Sequence, residues 1–369
     1  RDFQNFGFSN NERNTTFEQA QTGAAIRVGV PLTEFISGIA SYTFNYDDIS
    51  LDENTFFADF DGDGIRTCEP LLAGRFLCDS IGERASSILG LTVAYDSLNS
   101  RFRPTRGETL SVSGEFAGLG GDVQYLRWRV KGSKYWPLPR GFIGSITAEG
   151  GVIESLEDRG GAGVDDVRLT DRFFLGEPQI RGFDIRGVGP RVLRQPIRDD
   201  GEGNPIVITD RDQVSDDAIG GTAYYLARAE IEIPLGSGAS ELGLRPSIFA
   251  DVGALFNVTD PILQTSPFPD GISFQLRDSG GTPLFVTSAG TITTASTDAD
   301  GNPLSPALQT IAPFQEVFLG DSPSPRISVG IGVNWNSPFG PFRIDFAQVL
   351  KSQPGDDTKK FSFNVGTQF

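Results

Sequence analysis

Hydrophobic and polar residues alternate with a period of two along most of this chain. Between positions 36 and 46 the even-numbered residues are apolar, aromatic or glycine, and most of the residues between them are small and polar. The same alternation occurs over 110–116, 126–131 and 327–336. Successive side chains of a β-strand point to opposite faces, so this pattern predicts long, two-faced strands. Almost no segment has the 3.6-residue period of a helix.

The length of the predicted strands favours a membrane barrel over a soluble sandwich. Many run to roughly 9–11 residues or more and have aromatic residues near their ends, as the strands of outer-membrane barrels do. In a barrel the apolar face meets lipid and the polar face lines a lumen. A soluble β-sandwich, which buries its apolar face, stays open on the alternation alone.

The connections between strands alternate in length, which a soluble sandwich has no reason to do. Tight turns are predicted near 31–34, 99–107, 137–141, 236–241 and 337–340, and long polar loops at 52–85, 154–170, 186–220 and 259–325. Short turns at one end and long loops at the other are typical of outer-membrane barrels. The sequence therefore predicts an all-β fold, a transmembrane antiparallel β-barrel with about thirteen strands. The first of these would be cut short at residues 1–8.

Composition excludes several classes of function. The 369 residues carry a formal net charge of −17 and contain no His. An acidic balance argues against a nucleic-acid partner, which needs clustered basic surface. The absence of His removes the commonest general base and a frequent zinc ligand, and no catalytic residues or cofactor are predicted.

The chain contains no run of about 18 apolar residues, so no transmembrane helix is predicted. Because the chain starts at Arg1 without Met, it is expected to be processed or a fragment.

Two features of the first long loop have a possible chemical meaning. Cys68 and Cys78 are the only cysteines, and a local disulfide is predicted, with two free thiols as the alternative. Asp59, Asp61 and Asp63 alternate before Gly64, as in the start of a calcium loop. A Pro stands where the twelfth-position Glu of such a loop belongs, so a solvated acidic loop is preferred and no metal is predicted.

Charged residues on the predicted lumen face suggest a buried ion cluster. Alternation places Glu230 inward on one strand, and Phe249 and Asp251 inward on the next. Two acids on adjacent strands need a cation where water is scarce. Arg181 is a candidate, because a guanidinium can bridge two carboxylates through its rigid fork of donors. Solvation of all three groups by lumen water is the alternative.

Several segments together resemble the BamA family of outer-membrane assembly factors, within the wider superfamily of bacterial surface antigens and outer-membrane insertases. The matching segments are Ile180-Arg181-Gly182-Phe183 followed by Gly189-Pro190, and positions 220–230, 249–253 and 328–344. The chain also finishes on an alternating, aromatic segment, 361–369, as outer-membrane barrels do. The likeness extends over essentially the whole chain.

The resemblance implies a sixteen-stranded barrel preceded by POTRA domains. On this basis residues 1–369 form one barrel domain that lacks the POTRA domains and about three N-terminal strands. The family's sixth extracellular loop enters the lumen, so Ile180, Arg181, Gly182 and Phe183 would contact Glu230, Phe249 and Asp251 on the wall. The last strand would form one side of a lateral gate, where client strands pair by β-augmentation. Its gate residues are Phe361, Phe363, Val365, Gly366 and Phe369.

The function implied is non-enzymatic assembly of β-barrel proteins in the outer membrane of a Gram-negative bacterium. The implied partners are unfolded outer-membrane proteins, the lipoproteins of the Bam complex and the lipid bilayer, and no cofactor is implied. The TamA-type translocation and assembly factor shares the loop and the C-terminal motif, so it remains an alternative. A passive porin is disfavoured by a loop that fills the lumen. A soluble sandwich hydrolase is the third alternative.

Overall fold

The computed structural model describes residues 18–60, 63, 65–101, 103–236, 243–278, 281–337 and 340–365. The elements up to residue 155 are β1 (Glu18–Pro31), β2 (Ile36–Ser50), α1 (Glu53–Phe56), β3 (Phe57–Ala58), β4 (Thr67–Cys68), α2 (Pro70–Ala73), α3 (Arg75–Cys78), β5 (Gly82–Asp96), β6 (Gly107–Gly121), β7 (Tyr125–Pro137) and β8 (Ile143–Ser155). The next are β9 (Arg191–Asp199), β10 (Pro205–Val207), β11 (Ser215–Ala218), β12 (Ala223–Glu232) and β13 (Leu244–Phe256). The last are β14 (Thr265–Ser266), β15 (Ile272–Gln275), β16 (Phe285–Val286), β17 (Ile292–Thr293), β18 (Ser305–Pro306), β19 (Leu308–Ile311), β20 (Phe314–Leu319), β21 (Arg326–Ser337), β22 (Gly340–Lys351) and β23 (Phe361–Val365). Short 3-10 turns occupy Pro139–Gly141, Leu169–Asp171 and Arg211–Gln213.

One large antiparallel sheet dominates the described residues. Its strand order is β1-β2-β5-β6-β7-β8-β12-β13-β21-β22-β23, so every wall strand pairs with its neighbours along the chain. This arrangement confirms the predicted all-β class. The sheet has eleven strands in the described residues, against about thirteen predicted, and the first predicted strand at 1–8 lies outside those residues. Strand-like segments in the long connections form separate small sheets, so they add no strands to the wall.

The two faces of the large sheet differ in the way the alternation predicts. Apolar side chains remain exposed along the outer face on consecutive strands, among them Ile26, Leu91, Trp128, Ile331, Phe346 and Phe363. The inner face carries buried polar and charged side chains, among them Arg84, Asp251, Ser328, Arg343, Asp345 and Ser362. An exposed apolar band with a polar interior is the inverse of a soluble sandwich, and it suits a wall that meets lipid.

The sheet curls around the connection between β8 and β12. Thr170 in this connection accepts a hydrogen bond from Arg84 on β5, and Glu177 accepts one from Asn364 on β23. These strands are eight steps apart in the sheet, which would be about 38 Å if it were flat. A single connection therefore contacts two regions of the wall that are far apart in strand order.

The loops follow the predicted asymmetry of length, apart from two shorter connections at the long-loop end, 122–124 and 352–360. The long connections cover 51–81, 156–222 and 257–325, all at the same end of the strands. The connection between β6 and β7, at this end, has only three residues, 122–124. The two predicted loops at 154–170 and 186–220 belong to a single connection, because the residues between them turn into the lumen instead of forming a wall strand.

The long connections build a cap at this end. A five-stranded sheet pairs β9 with β10, β11 and β20, and β20 with β14. The side chain of Arg194 on β9 bonds to Glu316 on β20 and to the carbonyl of Leu71 in α2. The cap is therefore joined to the loop that contains the three short helices. No helix among the described residues is long and apolar enough to cross a membrane.

The outward position of Leu91 gives a test of the assigned faces. Leu91 is exposed near the middle of β5, and Thr92 faces the lumen. We expect Leu91→Arg to lower the free energy of unfolding in lipid vesicles by about 2–4 kcal/mol, because a charge at the bilayer midplane is poorly solvated. Urea titration measures this value. Thr92→Arg is the matched control, and an equal loss in both variants would contradict the assigned faces.

Candidate functional site

The site is the lumen segment, residues 173–190, together with the wall strands that it contacts. Five of its apolar side chains are buried: Phe173, Leu175, Ile180, Phe183 and Val188. They form one cluster with wall residues Ala117, Tyr125, Ile153, Leu226 and Leu255. Loops usually lie on protein surfaces, whereas this one shares a buried apolar core with the wall and is therefore part of the packed interior.

Arg181 forms the central contact between the lumen segment and the wall. Its Nε donates to Oδ2 of Asp251 at 2.7 Å, and its Nη2 donates to Oδ1 at 2.5 Å. The backbone N–H of Arg181 also donates to Oδ2 at 3.0 Å. Each residue is only 1% exposed. This is a two-bond, fork-to-fork pair, which fixes orientation as well as charge.

A second carboxylate extends the pair into a network. Nη1 of Arg181 donates to Oε2 of Glu230 at 2.8 Å, and Nη2 of Arg343 donates to the same oxygen at 3.2 Å. Nε of Arg343 bonds to Oδ2 of Asp345 at 2.8 Å. Asp345 lies 4.0 Å from Arg181 as well. The three acids lie on β12, β13 and β22, so the network connects strands on both sides of β21.

Aromatic and backbone contacts complete the environment of Arg181. Its guanidinium carbon lies 3.5 Å from the ring centroid of Phe249, the residue opposite Glu230 in the sheet. A cation over an aromatic face is attracted by the ring quadrupole, and more strongly where water is excluded. The hydroxyl of Ser328 on β21 donates to the backbone carbonyl of Arg181. The wall therefore holds both the side chain and the backbone of this residue.

Gly182 allows the backbone to approach the wall this closely. Its φ of +91° lies in the region that L-residues rarely adopt. A Cβ at this position would stand 3.2 Å from Ala347 Cβ, Ser328 Cβ and Val349 Cγ2. The Arg-Gly-Phe order thus has a physical reason, because the glycine lets Arg181 and buried Phe183 point to opposite sides of a tight turn.

A second set of contacts joins the lumen segment to the connection between β22 and β23. The backbone N–H of Lys359 donates to the carbonyl of Gly182. The backbone N–H of Asp184 donates to the backbone carbonyl of Asp357. Nζ of Lys359 lies 3.3 Å from Asp184 and 3.4 Å from Glu177. Partial burial lowers the pKa of Lys359, but the adjacent carboxylates of Asp184 and Glu177 outweigh it, and the net shift is upward. Lys359 is therefore charged at neutral pH.

The sequence singled out Arg181, Glu230, Phe249 and Asp251, and the structure places these four in direct contact. The sequence did not single out Arg343 and Asp345 as further members of the Arg181 network, although their spacing of two on a predicted strand indicates a shared face. Glu177 was missed as well, because its partners come from a loop and a strand nearly two hundred residues away. No local sequence pattern encodes such a contact.

The other predicted site residues lie apart from this network. Cys68 and Cys78 form a disulfide in the cap. Asp59 pairs with Arg277 at 3.6 Å, Asp63 accepts from the N–H of Ile65, and Asp61 lies outside the described residues. No group of three metal-ligand side chains occurs among the residues the structure describes.

The last strand presents its aromatic face outward. Phe361, Phe363 and Val365 are exposed on β23, whereas Ser362 is buried on the lumen side. Gly366 and Phe369 lie outside the described residues. Within those residues, β23 pairs only with β22 and is an edge of the large sheet.

Comparison with known proteins identifies the family. The model of the Omp85 superfamily domain matches residues 2–369. The chain belongs to the Omp85 superfamily. This membership confirms the resemblance inferred from the sequence motifs. A crystal structure of BamA from Haemophilus ducreyi lacking POTRA domains 1–3 aligns with a TM-score of 0.60 at 18% identity, covering 96% of this chain and 56% of that one. This likeness in fold confirms the predicted antiparallel barrel.

Relatives of this Omp85 domain come from bacteria and from animals. It is 28% identical over 296 residues to the outer membrane protein assembly factor BamA of Neorickettsia risticii, covering 79% of this chain. The BamA protein of Neisseria meningitidis is 25% identical over 276 residues, and a SAM50-like protein of Drosophila melanogaster is 32% identical over 120 residues. The aligned parts cover 28%, 27% and 26% of those three proteins, so this chain spans about a quarter of their length.

The Arg181 network of this Omp85 domain makes a quantitative prediction. Arg181→Ala leaves Asp251 buried without its cation, so we expect it to lower the free energy of unfolding by about 3–5 kcal/mol. Arg101→Ala is the control, because Arg101 is 87% exposed in its pair with Asp96 and should contribute less than about 1 kcal/mol. Urea titration followed by heat-modifiable gel migration measures both.

A second substitution separates loss of pairing from loss of packing. Adding Asp251→Asn to Arg181→Ala removes the unpaired charge, so part of the lost stability should return. Equal free energies of unfolding of the Arg181→Ala and Arg101→Ala proteins would contradict a stabilising role for the buried ion pair.

Proposed function

We propose that this chain is the membrane domain of an outer-membrane β-barrel assembly factor of the BamA type. The proposal rests on one observation above the others. A loop enters the lumen of an Omp85 barrel and its Arg181 binds Asp251 and Glu230 on the wall. The similarity to two outer membrane protein assembly factors, the BamA proteins of Neorickettsia risticii and Neisseria meningitidis, supports the same proposal.

In this proposal the work is mechanical and not chemical. The lumen segment keeps the barrel folded and closed to free diffusion. The edge strand β23 offers unpaired backbone groups to the terminal strand of a client, which adds by β-augmentation. Phe361, Phe363 and Val365 lie on this proposed gate strand. No ATP or cofactor takes part.

The proposed setting is the outer membrane of a Gram-negative bacterium. The exposed apolar band contacts the lipid bilayer, and the disulfide between Cys68 and Cys78 suits an oxidising compartment. The proposed partners are unfolded outer-membrane proteins and the lipoproteins of the Bam complex. In this proposal residues 1–369 act as one barrel domain.

Two other functions fit some of the observations. A TamA-type translocation and assembly factor shares the lumen loop, and the SAM50-like relatives favour barrel assembly in a different outer membrane. A passive porin needs a wide lumen, whereas the lumen segment packs Ile180 and Phe183 fully buried against the wall. That packing favours assembly over diffusion.

The function is tested with the full-length protein reconstituted in lipid vesicles. An unfolded barrel client is added, and its folding is followed by gel migration without heating. We expect several-fold faster folding than in protein-free vesicles, because pairing with a template edge lowers the insertion barrier. Glu230→Gln and Asp251→Asn should slow the client in protein samples that themselves show folded migration, and Arg101→Ala should not.

Client folding no faster than in empty vesicles would overturn the proposal. Planar-bilayer recording separates the remaining alternative, since steady high conductance would support a porin. Folding of only a restricted set of clients would favour the TamA type.

A further inference from the structure

Within the described residues, β23 pairs with β22 over a short run. In the described residues five residue pairs join β23 to β22, whereas eleven join β22 to β21. The outer face of β23 carries exposed Phe361, Phe363 and Val365, and the rings of Phe361 and Phe363 contact Phe346 and Phe342 on β22. These contacts tie β23 to β22 alone, whereas its inner face contacts a different part of the molecule.

One side chain of the lumen segment reaches that inner face. Oε1 of Glu177 accepts a hydrogen bond from Nδ2 of Asn364 at 2.9 Å. Its other oxygen, Oε2, lies 3.4 Å from Nζ of Lys359, within ion-pair distance but without a directed hydrogen bond. Glu177 is 8% exposed, so water competes little for these contacts. A hydrogen bond to an ionised acceptor is about twice as strong as a neutral one.

The backbone around Glu177 is fixed by the same segment that carries Arg181. The N–H of Glu177 donates to the carbonyl of Asp184, and the N–H of Ile180 donates to the carbonyl of Gly176. A Cβ on Gly176 would lie only 2.2 Å from the carbonyl oxygen of Asp184, which shows how closely the two arms of the turn pack. Glu177 and Arg181 therefore belong to one closely packed, hydrogen-bonded turn.

The contact with Asn364 has a property that suits an exchangeable strand. It uses a side-chain amide, so the backbone N–H and C=O groups of β23 stay available for ladder pairing. The restraint also acts from the lumen and leaves the outer edge open. The strand is therefore positioned without being sealed against another strand.

We infer that Glu177 is a positioning residue for β23, coupling the bound state of the lumen segment to the placement of the terminal strand edge. Release of the lumen segment would loosen β23, and displacement of β23 would remove a partner from the lumen segment. The biological meaning of this coupling rests on the proposed assembly function, but the coupling itself is a property of the barrel alone.

Hydrogen–deuterium exchange on the full-length protein in lipid nanodiscs tests the coupling without any client. We expect Glu177→Ala and Asn364→Ala each to speed exchange of the β23 amides by roughly tenfold, because each removes a hydrogen bond to a charged acceptor. The double variant should exchange no faster than either single variant, since both remove the same interaction. Glu177→Gln keeps an acceptor for Asn364 and should have a smaller effect.

Asp184→Ala is the matched control. Asp184 contacts Lys359 from the same segment and is 41% exposed as a side chain, and its polar contacts in the described residues are with Lys359, Asp357 and the lumen segment itself. Its removal should change β23 exchange by about twofold or less, as for an exposed ion pair. Equal acceleration in Asp184→Ala and Glu177→Ala would mean general loosening of the segment and would overturn the inference. Additive effects of Glu177→Ala and Asn364→Ala would overturn it as well.

The result is separable from the test of function. Unchanged β23 exchange in Glu177→Ala, with client folding still accelerated by the unsubstituted protein, contradicts the coupling and leaves the assembly function standing. Coupled exchange without any acceleration of clients contradicts the function and leaves the coupling standing. When both hold, Glu177→Ala should alter client folding rates while Arg101→Ala, at an exposed ion pair outside the site, leaves them unchanged.

Discussion

The pairing of Arg181 with Asp251 is the interaction on which the interior of this barrel depends. Both groups are withdrawn from water, and a buried charge without a partner is strongly destabilising. The two-bond geometry satisfies the carboxylate, and Glu230 takes a further donor of the guanidinium. The lumen segment can therefore remain inside a polar wall, where an uncharged loop would gain little over water. The ion pair sets the position, and the apolar side chains around it supply the packing.

Arginine solves the same problem elsewhere in the chain. Arg194 joins Glu316 to carbonyls of the disulfide loop, and Arg326 joins Asp356 to three backbone carbonyls in the connection before β21. Each guanidinium offers several donors in a fixed plane, so one side chain can satisfy acceptors from segments far apart in sequence. Irregular backbone is tolerated within and above the barrel because such donors replace the missing ladder partners.

The lumen segment thereby connects parts of the molecule that have different tasks. Arg181 binds Asp251 on the wall, and Glu177 reaches β23. Gly182 and Asp184 form backbone hydrogen bonds with the connection between β22 and β23. The outer surface, by contrast, is uniform and apolar, since lipid offers no specific partners. The directed polar contacts of the lumen segment therefore lie inside the barrel.

The sequence by itself determined the class of fold and the orientation of each strand. Alternation with period two is a local property, so the lumen positions of Glu230 and Asp251 could be read directly from it. The sequence also suggested Arg181 as the cation, and its guanidinium lies between these two acids in the structure. Only the tertiary structure decided which distant groups complete the network, as with Arg343 beside Glu230 and Asn364 beside Glu177. Those contacts depend on how the sheet curls around an inserted loop, and curvature is set by packing over the whole wall, which no local pattern encodes.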